Sequence, residues 1–234
     1  MPRFPAGQTL LIDADDTLWE NNIYFERAIA AFIGYLNHHV YTPVEVRETL
    51  NAIERETILA HGYGVTSFTR SLDTCFERLS AEPVSDEKRN RIRAFSELIS
   101  SQEIELLPGV HETLTDLATR HRLILMTKGN QAEQADKLAR SGLAPFFAAV
   151  EIVPEKDPAT YAAVIIRHEL TPHTSWMIGN SPKSDINPAL AAGLHAVFLF
   201  HKSTWALEHA ELSTPPSGQQ LIELDSFAKL RELF

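Results

Sequence analysis

The stretch T-L-L-I-D-A-D-D-T, residues 9–17, decides how the rest of the sequence is interpreted. Its first four residues form a short apolar run that ends abruptly in polar residues, which is typical of a buried strand that leads into a loop. Asp13 and Asp15 stand two residues apart at the end of this strand. In an extended chain their side chains point the same way, so their charges repel each other unless a cation or a shared proton intervenes. The stretch therefore favours a divalent metal site.

The pattern changes twice after this strand. From Asn22 to about Ser100 it is helical only, with a capping box at Thr42-Pro43-Val44-Glu45. Pro108-Gly109 then marks the return to an alternation of helix and strand. We expect strands at residues 123–126, 149–153, 175–178, 196–200 and, more weakly, 221–224, and helices at about 110–120, 131–141, 158–169 and 187–193.

This alternation predicts an α/β fold, a doubly wound parallel sheet whose ligands bind at the carboxyl ends of the strands. The length of 234 residues suits either one large domain or a core domain that carries a smaller insert. The predicted domains are a core of residues 1–20 and 101–234 and an inserted all-α domain of residues 21–100.

Composition excludes several classes of function. The net charge of −10 repels phosphate backbones, so nucleic acid is not an expected partner. No apolar run approaches the roughly 20 residues that span a bilayer, and no secretion-signal layout is present, so we expect a cytoplasmic protein without a membrane partner. The single cysteine, Cys75, allows no internal disulfide and is expected to be buried. His38 and His39 are expected at a helix end and not as a metal pair.

Further polar residues follow the predicted strands at their carboxyl ends. They are Thr127, Lys128 and Gly129 after the second strand, Lys156 after the third, and Asn180, Ser181 and Asp185 after the fourth. Oxygen ligands without His or Cys match Mg²⁺. A hydroxyl, an ammonium group and backbone N–H groups are what a phosphoryl group needs around its oxygens. Each short motif alone is weak, but the ordered set indicates phosphoryl transfer.

With these residues in place, the sequence resembles the haloacid dehalogenase superfamily, specifically its phosphatase-like members with a helical cap. Residues 13–18 resemble the first motif of that family, Thr127 the second, Lys156 the third and residues 179–185 the fourth. The resemblance covers the whole chain, because the helical insert also falls in the expected place.

The resemblance implies a Mg²⁺-dependent phosphatase that acts on a small phosphorylated metabolite through an aspartyl-phosphate intermediate. Asp13 would be the nucleophile and Asp15 the acid and base, and the presence of Asp15 argues against a dehalogenase. The implied phosphate-binding residues are Thr127, Lys128, Gly129 and Lys156. The implied metal ligands are Asp13, the backbone carbonyl of Asp15, Asn180 and Asp185.

One departure from the family pattern is Asn180, where such proteins usually carry aspartate. The amide offers an oxygen at a similar position but removes a full negative charge, so we expect weakened Mg²⁺ affinity. Two alternatives stay open: a sugar-phosphate mutase, which needs the same acid and base, and a catalytically weak protein that binds a phosphorylated metabolite. Nothing in the sequence indicates an oligomeric state.

Overall fold

The computed structural model describes residues 2–36, 40–80 and 85–234. The chain divides into two compact units, of which unit 1 is Met1–Glu20 with Ile104–Phe234 and unit 2 is Asn21–Glu103. His38 and His39 lie outside the described residues. Within the described ranges, no helix has the length and apolar character that crossing a membrane requires.

Helices and strands follow one another in the predicted order. Helices α1 (Asn22–Leu36), α2 (Pro43–His61), α3 (Val65–Leu79) and α4 (Asp86–Ser100) belong to unit 2. Unit 1 contains strands β1 (Thr9–Ile12), β2 (Arg122–Lys128), β3 (Ala149–Val153), β4 (Ser175–Gly179), β5 (His195–Leu199) and β6 (Leu221–Leu224). Its helices are α5 (Val110–Leu117), α6 (Gln131–Ser141), α7 (Pro158–Arg167), α8 (Asn187–Ala191) and α9 (Leu230–Leu233).

The strands of unit 1 form one parallel sheet in the order β3-β2-β1-β4-β5-β6. Alternate residues of β1 face opposite sides of it, because side chains alternate along a strand. Leu10 and Ile12 pack into a core with residues of α5, α6 and α9, and Leu11 packs into a second core with residues of α7 and α8. Helices therefore cover both faces, which confirms the doubly wound α/β fold.

The bounds of β2, β4 and β5 differ from the predicted ones by one or two residues, and β4 extends to Gly179. Strand β2 extends to Lys128 because Thr127 and Lys128 pair with Ile152 and Val153 of β3, although the apolar pattern stops before these polar residues. Strand β5 begins at His195, which pairs with Trp176. For β2 and β5 the extent of the strand is set by its neighbour in the sheet, which hydrophobic periodicity does not report.

The strand order places a topological switch beside β1. The chain continues from β1 to β2 on one side, whereas β4 on the other side leads away to β5. In open α/β sheets of this kind, ligands bind in the crevice outside the carboxyl ends of the strands at the switch. The residues that follow β1 and β4 therefore border the expected binding crevice.

Unit 2 contains the four helices α1 to α4 around an apolar core of its own. That core includes Phe32, Leu50, Leu72 and Ile92, and it buries Cys75 completely, as expected. The predicted capping box at the start of α2 is confirmed: Thr42 accepts a hydrogen bond from the Glu45 N–H at 3.3 Å and donates its own N–H to the Glu45 carboxylate at 2.7 Å.

A carboxyl group is buried in this helical unit. Glu54 is 6 % exposed, and its Oε2 atom has no hydrogen-bond partner. Burial raises the pKa of Glu54 to about 7, although the charge of Arg47 opposes the shift. The folded chain therefore holds the Glu54 proton more tightly than the unfolded chain, and stability is lost as pH rises between about 4.5 and 7.

We expect Glu54→Gln to raise the free energy of unfolding at pH 8 by about 1–3 kcal/mol, because it removes a buried charge without changing the shape of the side chain. At pH 4 the variant and the wild type should be equally stable. Urea denaturation at both pH values measures this difference. Glu48→Gln, at an exposed position of α2, is the control and should have little effect at either pH. A gain that does not depend on pH would contradict the assignment.

Candidate active site

The first polar loop of the sheet is held in a tight turn directly after β1. The Asp13 N–H donates to the Ile178 carbonyl at 2.9 Å, which extends the pairing with β4 by one residue. The Ala14 carbonyl then accepts from the N–H groups of Thr17 and Leu18 at 3.2 and 2.8 Å. This turn fixes the side chains of residues 13 and 17 at the switch point.

A buried lysine lies between two buried carboxylates at this edge. Lys156, three residues after β3 ends, donates to Asp13 Oδ1 at 2.5 Å and to Asp185 Oδ1 at 2.7 Å. Burial lowers the pKa of Lys156, but the two carboxylates outweigh this effect and raise it, so the ammonium stays charged. Burial and the charge of Asp185 raise the pKa of Asp13 to about 7, against the pull of Lys156.

Asp185, one of the expected metal ligands, is held by hydrogen bonds on both of its oxygens. Both of its oxygens are engaged, Oδ1 by Lys156 and Oδ2 by the Ser181 N–H at 3.0 Å. Its carboxylate packs against Gly179, where a β-carbon would collide with it. The structure therefore places Asp185 as the second partner of Lys156.

Asp15 is surrounded by hydrogen-bond donors. It accepts from Trp19 Nε1 at 2.8 Å, from Gln134 Nε2 at 2.9 Å and from Lys137 Nζ at 2.9 and 3.0 Å. Burial raises the pKa of Asp15, but Lys137 and the hydrogen bonds outweigh burial and lower it below its usual range. Sequence reasoning missed Gln134 and Lys137, although their spacing of three on α6 places them on one face of the helix.

Thr127 and Gly129 lie on the same side of the site as Gln134. The buried Thr127 hydroxyl is 3.5 Å from Gln134 Oε1. A β-carbon at Gly129, which has φ 143°, would lie 3.1 Å from Gln134 Nε2, so glycine gives the amide its space. The Gly129 N–H donates to the Val153 carbonyl at 3.0 Å. Gly129 thus leaves space for the Gln134 amide, and its own N–H is used in the hydrogen bond to β3.

Lys128 lies apart from the position expected of a phosphate ligand. Its ammonium donates to Glu208 at 2.7 Å, to Ser184 at 2.8 Å and to Glu155 at 3.3 Å. Glu208, which is buried, also accepts from the hydroxyls of Ser181 and Ser184. Sequence reasoning gave Glu208 no role, because no motif or spacing connects it with a lysine 80 residues earlier.

Asn180, at the end of β4, is connected to Asp13 through a threonine. The Thr17 hydroxyl lies 3.1 Å from Asp13 Oδ2 and 3.2 Å from Asn180 Oδ1. The Asn180 Nδ2 group donates to the Thr204 hydroxyl at 3.0 Å, and that hydroxyl donates to the His201 carbonyl at 3.0 Å. Both polar atoms of the Asn180 amide therefore have a hydrogen-bond partner. Its oxygen lies near the same Thr17 hydroxyl as the Asp13 carboxylate.

The donor chemistry of this edge fits a hard divalent cation. Asp13 and Asn180 present oxygens around Thr17, and no nitrogen or sulfur ligand is among them. The raised pKa of Asp13 reflects buried negative charge that Lys156 alone does not neutralise. A divalent cation beside Asp13 would neutralise this negative charge, so the residues present fit Mg²⁺.

Comparisons with known proteins agree on one family. A family model described as haloacid dehalogenase-like hydrolase matches residues 8–193. A structure of a haloacid dehalogenase-like family hydrolase from Xanthomonas campestris covers 97 % of this chain and 93 % of its own, with a TM-score of 0.78 and 27 % identity. The hydrolase YfnB from Bacillus subtilis, solved bound to magnesium, covers 96 % and 97 % with a TM-score of 0.63 and 18 % identity, a likeness of fold alone.

A curated relative matches a shorter segment. N-acylneuraminate-9-phosphatase from Mus musculus is 30 % identical over 107 residues. These residues are 44 % of this chain and 43 % of the mouse protein, so the match spans less than half of either protein.

The close packing of Gly179 against Asp185 gives a prediction about stability. We expect Gly179→Ala to lower the free energy of unfolding by about 1–3 kcal/mol, because the added methyl group must displace the Asp185 carboxylate from Lys156. Chemical denaturation measures the change. Gly34→Ala is the matched control, because Gly34 lies in α1 with no atom within 4 Å of an added β-carbon, and it should be neutral or slightly stabilising. Equal stability of Gly179→Ala and the wild type would contradict this packing argument.

Proposed function

The chain belongs to the haloacid dehalogenase-like hydrolases, and on that premise we propose that it is a Mg²⁺-dependent phosphatase of a small organic phosphate monoester. The observation that carries the proposal is the buried Lys156 ammonium, which lies between Asp13 and Asp185 at the switch point of the sheet. A phosphoryl group that reaches Asp13 brings further negative charge to this place, and a fixed buried cation stabilises it. The mouse relative, named as a phosphatase, supports the same reaction class.

Asp13 is the nucleophile in this proposal. One of its carboxylate oxygens attacks phosphorus, the bond from phosphorus to the leaving oxygen breaks, and an aspartyl-phosphate forms. Lys156 then balances the charge that passes from the carboxylate to the phosphoryl oxygens. We assign the buried Thr127 hydroxyl to one of those oxygens, as the resemblance to the family implies. Lys128, held by Glu208, is assigned to shaping the loop after β4 and not to the phosphate.

Asp15 is the acid and then the base. In the first step it gives a proton to the leaving oxygen. In the second step it takes a proton from water, the water oxygen attacks phosphorus, and the bond to Asp13 breaks with release of phosphate. The Lys137 charge, which lowers the pKa of Asp15, favours the carboxylate that acts as the base in the second step, and Gln134 and Trp19 fix the direction of this carboxylate.

Asp13 and Asn180 are side chains proposed to hold the metal, because their oxygens face the same Thr17 hydroxyl and suit a hard divalent cation. When bound, Mg²⁺ would neutralise phosphoryl charge as a Lewis acid. Asp185 is a further proposed ligand: each of its oxygens accepts one hydrogen bond, from Lys156 or from the Ser181 N–H, and keeps a second lone pair, as the Asp13 oxygens do.

Phosphate release from an aryl phosphate and a panel of metabolite monoesters tests the proposal. We expect release that requires Mg²⁺, stops with a chelator and falls at least about 1,000-fold in Asp13→Asn, because the amide is a poor nucleophile. Asp157→Asn is the matched control: this exposed residue caps α7, and asparagine caps a helix equally well. Undiminished release by Asp13→Asn, or no release from any compound, would contradict the proposal. An isomerised product without free phosphate would identify a mutase instead.

Asn180 gives a second prediction for the metal. We expect Asn180→Asp to lower the Mg²⁺ concentration needed for half-maximal activity by about threefold to tenfold, because a carboxylate attracts the cation more strongly than an amide. The variant also loses the hydrogen bond from Nδ2 to Thr204, so it should be slightly less stable. Activity measured against Mg²⁺ concentration gives the half-saturation values. Equal values for the variant and the wild type would exclude Asn180 from the metal.

A further inference from the structure

Three potential metal ligands outside the residues assigned to the reaction lie together in unit 1. Asp16 and Glu20 belong to the segment after β1, and His201 follows β5. One carboxylate oxygen of each acid and one ring nitrogen of His201 lie within 4.8 Å of one another. His201 Nε2 is 3.4 Å from Glu20 Oε2, and His201 Nδ1 is 3.9 Å from Asp16 Oδ1.

Hydrogen bonds within the protein leave polar atoms of this cluster unsatisfied. His201 Nδ1 is buried and has no hydrogen-bond partner, and the buried Glu20 Oε2 meets His201 Nε2 at 3.4 Å without a well-directed hydrogen bond. A buried polar atom without a partner costs about 1–3 kcal/mol, so its retention calls for a ligand or a specific role. Burial lowers the pKa of His201, against the charge of Glu20, which favours the neutral imidazole that coordinates metals.

Backbone hydrogen bonds hold the three residues in place before any ligand binds. Asp16 has φ 60°, and its N–H donates to the Trp19 carbonyl at 2.8 Å. The Glu20 N–H donates to the Glu105 carbonyl at 2.9 Å. The His201 carbonyl accepts from the N–H and the hydroxyl of Thr204 at 3.2 and 3.0 Å. The cluster is thus carried by fixed turns, as a preorganised site requires.

We propose that Asp16, Glu20 and His201 form a second divalent-metal site, selective for a transition metal such as Mn²⁺, Co²⁺ or Zn²⁺ over Mg²⁺. One imidazole nitrogen and two carboxylate oxygens are a donor set that suits these ions, whereas Mg²⁺ prefers oxygen ligands only. This set shares no residue with Asp13 and Asn180. The Thr204 hydroxyl that accepts from Asn180 also donates to the His201 carbonyl, so a metal here would stabilise the loop that positions Asn180.

A Co²⁺ titration of the full chain in the presence of excess Mg²⁺ tests this site. Excess Mg²⁺ would fill the proposed oxygen-only site, and protein-bound Co²⁺ is followed by a visible band that is shifted and stronger than that of aqueous Co²⁺, with equilibrium dialysis giving the amount bound. We expect one Co²⁺ per chain in the wild type. Its apparent Kd should rise at least about tenfold in both His201→Gln and Glu20→Gln, because each removes a direct ligand. The matched control is His168→Gln, which removes a histidine that pairs with Glu151 and should leave Co²⁺ binding unchanged.

The outcomes separate this proposal from the proposed phosphatase activity. Asp13→Asn should lose phosphate release and keep the Co²⁺ band. Thermal denaturation checks that each variant is folded, and the two ligand variants serve as replicates of each other. A wild type that binds no Co²⁺ beside Mg²⁺ would overturn the proposal. So would a Co²⁺ band that survives both ligand substitutions, or one that disappears only in Asp13→Asn.

Discussion

The buried Lys156 ammonium is the interaction on which the candidate site depends. It joins Asp13, which follows the central strand β1, to Asp185, which follows β4, and it reaches them from the end of β3. Strand β2 lies between β3 and β1, so the lysine crosses the carboxyl edge of the sheet. Loss of one partner of a buried ion pair costs about 3–5 kcal/mol because the remaining charges stay desolvated. Lys156, Asp13 and Asp185 thus connect the ends of three strands. The charges of Lys156 and Asp185 also set the electrostatic environment of the Asp13 carboxylate.

A second ion pair, between the part-buried Lys128 and the buried Glu208, supports the first from the loop after β4. Lys128 and Glu208 enclose the hydroxyls of Ser181 and Ser184, and the Ser181 N–H binds Asp185. Through Ser181, the position of Asp185 therefore depends on a glutamate beyond β5. Two lysines therefore act at this edge of the sheet. Lys156 balances the carboxylates at the crevice, and Lys128 stabilises the loop after β4 that positions Asp185.

The sequence predicted the sheet well because strand ends carry a local signal. The bounds of β1, β3 and β6 match the expected runs, and the polar residues after β1, β3 and β4 meet as parallel strands require. Contacts made between distant segments were not predictable in this way. Glu208, Gln134 and Lys137 have no motif, and the use of both Asp185 oxygens follows from three-dimensional packing around Gly179. The residue types therefore predicted the kind of chemistry expected at the site. Which side chains pair with one another could be seen only in the three-dimensional structure.

The central position of β1 also has a consequence for the order in which the chain folds. Thr9 pairs with Arg122 on one side and with Ser175 on the other, so β1 gains its first neighbour in the sheet only after Arg122 has been synthesised and its second only after Ser175. Unit 2, whose helices contact one another over short sequence distances, can complete its core in that interval. The Asp13 N–H binds the Ile178 carbonyl, so the loop that bears Asp13 can take its final form only after β4 has been synthesised. Asp13, Asp15 and Asp16 keep this loop polar until then, which limits its tendency to aggregate.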